Sequence, residues 1–195
     1  MHFDTPFRFV GSVDPLPLRE LIDGLGESAW DEFALRQVAA EVHRHTQTIP
    51  LLFDTDGRHS GSTLWPRLEL FKAPLEPALR AIMAANPDVS DREGYFVRII
   101  LTRLAPGAAI AEHIDDGISL KRSHRHHLAI VTNSLVDFHV GDEIKQLVAG
   151  EIWEINNRQM HSVNNRSSET RVHIILDYVV PGEKIMDPDD GLIFA

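Results

Sequence analysis

Tyr95-Phe96-Val97-Arg98-Ile99-Ile100-Leu101-Thr102-Arg103-Leu104 is an apolar, β-branched run that gives way to a Pro106-Gly107 turn. Side chains branched at Cβ pack well on a pleated surface, so this segment reads as a strand. Downstream, short strand-like runs recur at Leu128 to Thr132, Val136 to Val140, Ile144 to Val148, Ile152 to Ile155 and Val172 to Val180. Gly141-Asp142, Ala149-Gly150 and Asn164-Asn165 supply turn signals between them. That cadence points to an antiparallel sandwich or barrel rather than to alternating βαβ units.

Upstream of Gly94 the texture differs. Phe7 to Val13 alternates weakly and reads as a short strand, and Leu16 to Leu25 as a helix ending at Gly24 or Gly26. Ser28 is placed to cap a second helix containing Trp30, Phe33, Leu35 and Val38. Thr48 to Phe53 is strand-like, and Asp54 to Ser62 is a Gly/Ser/Asp loop. Leu75 to Ala85, with Leu79, Ile82 and Met83 at helical spacing, is the clearest helix, and Asn86-Pro87 stops it. The expectation is one domain: a helical or mixed flanking region (1–93), a β core carrying the site (94–181) and a C-terminal tail (182–195).

Composition narrows the function. The chain has 195 residues, of which 43% are hydrophobic and 25% charged, which is ample for a proper core. A formal charge of −10 argues against nucleic acid or an anionic membrane as a partner. The one basic cluster, Lys121 to Arg125, reads as a solvated loop. The absence of cysteine removes disulfides, thiolate metal sites and cysteine nucleophiles. The first residues lack the basic and apolar regions of a signal peptide, and no run approaches the roughly 18 apolar residues of a membrane helix, so a soluble, cytoplasmic protein is expected. The chain carries eleven histidines, but they are dispersed through apolar and turn segments, so their number alone settles nothing.

The chemistry concentrates between His113 and Arg171. His113 and Asp115 are two residues apart, and on an extended segment side chains at i and i+2 project from one face, so both can reach one ion. Alone this spacing is weak, since His2-Phe3-Asp4 repeats it. His161 stands just before a polar turn and Arg171 opens the next strand. A turn centred near Arg166 sets these two opposite each other across a hairpin, on the same face. Two imidazoles and one carboxylate on one side of a metal leave three positions open, the facial-triad arrangement of non-haem Fe(II) oxygenases. A bidentate arginine nearby suits a dicarboxylate whose other end chelates the metal.

This set resembles the aspartyl/asparaginyl β-hydroxylase family of Fe(II)/2-oxoglutarate-dependent dioxygenases, which includes bacterial free-proline hydroxylases. The matching stretches run in the family's order: Val97-Arg98-Ile99-Ile100, Pro106-Gly107, His113-x-Asp115, Arg125-x-His127-Leu128, Gly150-Glu151-Ile152-Trp153, His161-Ser162-Val163-x-Asn165 and Arg171-x-His173-x-x-Leu176-Asp177. The resemblance implies a mainly β fold with flanking N-terminal helices, a double-stranded β-helix of the jelly-roll, cupin-like kind. It implies Fe(II) on His113, Asp115 and His161, with 2-oxoglutarate and dioxygen as co-substrates. By the same carry-over, Arg171 takes the distal carboxylate of 2-oxoglutarate, and Arg125 and His127 lie near its metal-binding end. Asp116 points to the other face.

Each assignment has a plainer alternative. His113 and His161 can be hydrogen-bonded core residues, and Arg171 can pair with Asp177 or Glu169 on the surface. A register slip of one residue would turn Arg125 and His127 away and bring His124 and His126 inward. Trp153 reads as barrel core, and Gly150 as the residue of a tight turn. His45, Thr46, Thr48, Trp65 and Arg92 are candidate substrate contacts, none of them assigned. The expected activity is hydroxylation of an unactivated carbon in a free amino acid or a small amino-acid-derived metabolite. The alternatives are an Asp/Asn-type side chain in a peptide or protein, a cupin-like metalloenzyme that does not use 2-oxoglutarate, and a non-catalytic binding barrel.

Overall fold

Strand β11 (Arg171–Val179) is buried along all nine residues, yet its sequence alternates in character. Val172, Ile174, Leu176 and Tyr178 join one apolar cluster together with helix residues. Arg171, His173, Ile175 and Asp177 therefore face the other way, because successive side chains on a strand point to opposite faces. A buried strand that is polar on one face only is the backbone of the site. The computed structural model describes residues 4–34, 41, 44–55, 62–187 and 191–195.

Seven strands form the larger sheet, in the order β1 (Phe7–Ser12), β9 (Glu151–Ile155), β6 (His124–Val131), β11, β4 (Tyr95–Leu104), β2 (Thr46–Asp54) and β3 (Ser62–Leu64). Four form the smaller one: β5 (Ala109–His113), β10 (His161–Asn165), β7 (Val136–Val140) and β8 (Glu143–Lys145). Every pairing is antiparallel. From β4 to β11 the chain passes back and forth between the two sheets, which is the winding of a double-stranded β-helix. The interior is closed by Phe7, Leu104, Ala129 and Ile155 of the larger sheet against Val136, Phe138, Val140 and Val163 of the smaller.

Helices α1 (Leu16–Asp23) and α3 (Leu68–Ala85) cover the outer face of the larger sheet. Leu18, Ile22, Phe71, Leu75, Ala78 and Ile82 pack there with Leu128, Ile130, Ile174 and Leu176. Two short helices, α2 (Glu27–Asp31) and α4 (Ile118–Lys121), lie in connections. Among the described residues, no helix is long and apolar enough to cross a membrane.

Several boundaries differ from the sequence expectation. Helix α3 begins at Leu68 rather than Leu75 and continues through Pro74 and Pro77. Each proline removes an N–H that would bond the carbonyl four residues back, at Leu70 and Ala73. Both of those residues are exposed, where solvent can satisfy a carbonyl that the helix does not. Met83, read as part of the buried face, is exposed. Ser28 lies inside α2, whose N-cap is Gly26. Leu35 and Val38, and most of the expected Asp54–Ser62 loop, lie outside the described residues. β8 ends at Lys145 rather than Val148. The C-terminal segment contains a hairpin of β12 (Lys184–Asp187) and β13 (Gly191–Phe194).

The largest correction concerns the basic cluster. β6 starts at His124 rather than Leu128, and His124 and Arg125 are buried rather than part of a solvated loop. Their charge is met by carboxylates brought from distant parts of the chain: Glu154 and Glu183 at His124, Asp115 and Asp177 at Arg125.

Candidate active site

His113 ends β5 and pairs across the smaller sheet with His161, the first residue of β10. Their rings lie 4.3 Å apart between centroids. His113 Nδ1 is 2.8 Å from the Ala111 carbonyl and His161 Nδ1 is 2.9 Å from that of Gln159. A carbonyl only accepts, so each Nδ1 carries the proton. Both Nε2 atoms turn toward Asp115, at 4.0 Å from Oδ1 for His113 and 3.5 Å from Oδ2 for His161. One donor atom from each of the three residues falls within 4.8 Å of the others, a set able to hold a divalent metal. Burial, with some help from Arg125, holds His161 below its ordinary pKa despite Asp115, which leaves a neutral imidazole at neutral pH.

Asp115 lies two residues beyond the strand end and is buried, whereas Asp116 is exposed, as expected. The Asp115 backbone is tied down from both sides: its N–H donates to the Asn157 carbonyl at 3.1 Å, and its own carbonyl accepts from Arg158 Nη1 at 2.9 Å.

The register of β6 turns Arg125 and His127 into the barrel, facing Asp177 and Ile175 of β11. Arg125 grips Asp177 with two bonds, Nε to Oδ1 at 2.8 Å and Nη2 to Oδ2 at 2.7 Å, and donates a third from Nη1 to Asp115 Oδ2 at 2.7 Å. Burial works against its charge, but the carboxylates of Asp115, Asp177 and Asp54 outweigh it and keep the guanidinium protonated. His127 is driven well below its ordinary pKa by burial first and then by His173 and Arg171, so it is neutral. Its Nδ1 is buried without a hydrogen-bond partner among the described residues. Such an orphan costs about 1–3 kcal/mol, which a polar occupant of the cavity would recover.

Arg171 is buried, with Nη2 2.7 Å from His173 Nδ1 and its guanidinium 5.9 Å from the Phe138 ring. It does not pair with Asp177, which belongs to Arg125, nor with Glu169, which accepts from Asn133. The expected hairpin between His161 and Arg171 is not formed. β10 pairs with β5 and β7, and β11 with β4 and β6, so the two residues sit in opposite sheets. Asn165 explains the crossing: its side-chain amide donates to the carbonyls of Ala105 and Glu169, bending the chain out of the smaller sheet. His161 and Arg171 nevertheless line one pocket, with His113, Arg125 and His127. Ile110, Phe138, Val163 and Ile175 form its apolar walls, and Thr46 and Thr102 add hydroxyls.

Of the five N-terminal candidates, Thr46 reaches this pocket. Trp65 packs instead on Phe33 beside Phe53, and Arg92 is exposed. Asp177 was read as a possible partner of Arg171, and its pairing with Arg125 escaped the sequence reading. The signal was the Arg-x-His-x-x-x-Asp alternation of β11, which marks one face. Trp153 packs at the barrel edge between Phe7 and Phe9.

The even-numbered residues of β6 face the helices and build a second polar cluster. His124 Nδ1 is 2.6 Å from Glu154 Oε1, and its Nε2 is 2.8 Å from Glu183 Oε2. Arg8 also bonds Glu154, while Asn86 lies against His126. Burial would lower the His124 pKa, but the bonds to the two glutamates outweigh it and raise it. His126, buried mainly without such compensation, is pushed down to about 4.

Comparison with known proteins agrees with this geometry. The sequence profile of the aspartyl/asparaginyl β-hydroxylase family matches residues 22–181. No curated protein sequence gives a significant match. Among solved structures, a Trichoplax adhaerens prolyl hydroxylase in complex with a hypoxia-inducible-factor peptide fragment superposes with a TM-score of 0.61 at 13% identity, covering 90% of this chain and 84% of that one. An oxidoreductase of the 2OG-Fe(II) oxygenase family from Burkholderia pseudomallei gives 0.57 at 13%, covering 92% and 94%. HygX from Streptomyces hygroscopicus, solved with nickel and 2-oxoglutarate, gives 0.57 at 11%, covering 90% and 83%. Identities this low speak for the fold; the profile match over most of the chain speaks for descent. The chain belongs to the aspartyl/asparaginyl β-hydroxylase family and is an Fe(II)/2-oxoglutarate-dependent dioxygenase.

Proposed function

We propose that the protein hydroxylates an unactivated carbon of a free amino acid or a small amino-acid-derived metabolite. In this reading His113, Asp115 and His161 hold Fe(II), Arg171 grips the distal carboxylate of 2-oxoglutarate, and Arg125 and His127 flank its metal-binding end. The observation that carries it is one buried pocket joining the His–Asp–His cluster to Arg171 past the unsatisfied His127 Nδ1. A cupin-like metalloenzyme without 2-oxoglutarate has no use for a buried arginine there. Iron with 2-oxoglutarate and dioxygen supplies the oxidising power to break the C–H bond; the chain supplies position and electrostatics. His161, kept neutral by burial, turns its Nε2 toward Asp115. Arg125 uses three of its five N–H groups on Asp177 and Asp115, and the remaining two are available to a carboxylate beside the metal. Phe138, Ile110 and Val163 line the same space with apolar surface.

A small substrate is supported by what adjoins the pocket. Ile175 lines it and packs with Ile100, Phe33 and Phe53. Arg98 lies over the Phe53 ring at 4.8 Å and is ion-paired with buried Asp54. The second reading, an Asp or Asn side chain within a peptide, is favoured by the family's own description. We treat the chain as one domain for this purpose, because β1 and β2 complete the sheet that carries the site.

The deciding experiment measures succinate release from 2-oxoglutarate by anaerobically Fe(II)-loaded protein after oxygen is admitted, across free amino acids and short Asp- and Asn-containing peptides. Stimulation by a free amino acid is the expected result. Stimulation by peptides alone establishes the second reading, and no succinate despite bound iron overturns both.

A further inference from the structure

Arg171 and His173 stand two apart on the inward face of β11, and Arg171 Nη2 lies 2.7 Å from His173 Nδ1. A guanidinium only donates, so Nδ1 is the acceptor and the ring proton sits on Nε2. Burial first, and then the charge of Arg171, holds His173 well below its ordinary pKa, so the ring is neutral and Nδ1 keeps its lone pair. That tautomer leaves the Nε2–H buried without a hydrogen-bond partner among the described residues. An apolar side chain between the cross-strand neighbours Thr102 and Ala129 would avoid that loss, so filling space does not account for a histidine here.

The acceptor rests on a fixed frame. Thr102 Oγ1 donates to the His173 carbonyl at 3.3 Å, and the His127 ring packs edge-on against the His173 ring at 5.7 Å between centroids. Charge explains why the acceptor is an imidazole. A carboxylate at this position would take the same N–H more strongly, but it would set a negative charge beside the one an incoming carboxylate brings. A neutral ring directs the guanidinium and adds no anion to the pocket. The same strand uses the other solution four residues on, where Asp177 grips Arg125 with both oxygens. We infer that His173 is a positioning residue for the co-substrate: as a neutral acceptor it aims the Arg171 guanidinium at the distal carboxylate of 2-oxoglutarate.

The inference rests on the reading that Arg171 grips that carboxylate, and the test separates the two. 2-Oxoglutarate and oxalate are titrated calorimetrically into Zn(II)-loaded wild-type protein, His173→Ala, His173→Asn, His173→Asp and Arg171→Ala, with folding checked by circular dichroism. Oxalate chelates a divalent metal but has no distal carboxylate. In His173→Ala the Kd for 2-oxoglutarate should rise roughly tenfold or more, the weight of a hydrogen bond to a charged group, while that for oxalate stays near wild type. His173→Asn, which places a neutral oxygen close to where Nδ1 stood, should recover part of the loss, and the equally shaped His173→Asp should not. Should His173→Ala not fold, the contrast between these two decides. In wild-type protein, nitrogen-15 NMR should show His173 with a bare Nδ1 and a protonated Nε2. Wild-type 2-oxoglutarate affinity in a folded His173→Ala, an equal loss for oxalate, equal affinities in the Asn and Asp variants, or a protonated Nδ1 each overturn the role of His173 alone. Wild-type 2-oxoglutarate affinity in Arg171→Ala overturns the reading of Arg171 and this inference with it.

Discussion

His161 and Arg171 stand ten positions apart on consecutive strands, yet they reach the same pocket from opposite sheets, His161 from the smaller and Arg171 from the larger. The pocket is therefore a gap between two rigid surfaces. His161 on one side and Arg171 on the other are held at a separation set by barrel packing, not by the turn between them.

Removing His161 should remove the metal. Its Nδ1 is anchored on Gln159, so Nε2 has a fixed direction that alanine cannot replace. In His161→Ala, and equally in His113→Ala, we expect Fe(II) retained after gel filtration, read with a colorimetric chelator, to fall to background, and succinate formation to fall with it. Full iron content in either variant would rule out its place in the triad.

Arg171→Ala should act on 2-oxoglutarate and not on the metal. Truncating one partner of a buried charged pair costs about 2–5 kcal/mol, so KM for 2-oxoglutarate should rise about 30-fold or more. Co(II) affinity should remain near wild type. Lysine should not restore the wild-type KM, because its point charge lacks the planar fork. Unchanged kinetics in Arg171→Ala would show that the co-substrate binds elsewhere.

The cluster around His124 predicts a stability loss on the alkaline side. The folded-state pKa of His124 is raised by Glu154 and Glu183 against the effect of burial. Its contribution is complete below the unfolded value of about 6.5 and is lost as the pH rises through the folded value. The buried neutral histidines His126, His127 and His173 have lowered values, so their linkage acts below about 6.5 and leaves the upper window clear. Urea unfolding of metal-free protein should show the midpoint falling as the pH rises above about 6.5. His124→Gln should flatten that fall; an equal slope in the variant would exclude His124 as its source.

Gly150 should not tolerate a side chain. Its φ is +89°, and an added Cβ would press on the backbone carbonyl of Val13, which is held in place because the Val13 N–H donates to the Gly150 carbonyl at 2.9 Å. The left-handed backbone alone costs a non-glycine residue about 1–2 kcal/mol. Gly150→Ala should lower the urea midpoint accordingly and leave 2-oxoglutarate affinity unaltered in the folded fraction.

Much of this was readable from residue patterns. The spacing of β-branched runs and turn glycines settles an antiparallel architecture, because strand geometry and tight turns are local properties of a few residues. Tyr95–Leu104 is bounded to the residue, since an apolar run ending at Pro-Gly admits no other reading. β6 was legible only in part: His124 and Arg125 look solvated to any local rule, and they become strand only because carboxylates far along the chain neutralise them. The two prolines of α3 likewise hid its first two turns, which packing of Leu68 and Phe71 on the sheet stabilises.

The sequence by itself determined the chemistry available: two imidazoles and a carboxylate at ligand spacing, arginines on apolar strands, and no thiol to compete. Residue type and order carry that information directly. Only the tertiary structure decided which arginine does what. Arg125 is committed to Asp177, 52 residues away, while Arg171 reaches the pocket from the opposite sheet, because strand partnership depends on which distant apolar faces bury together.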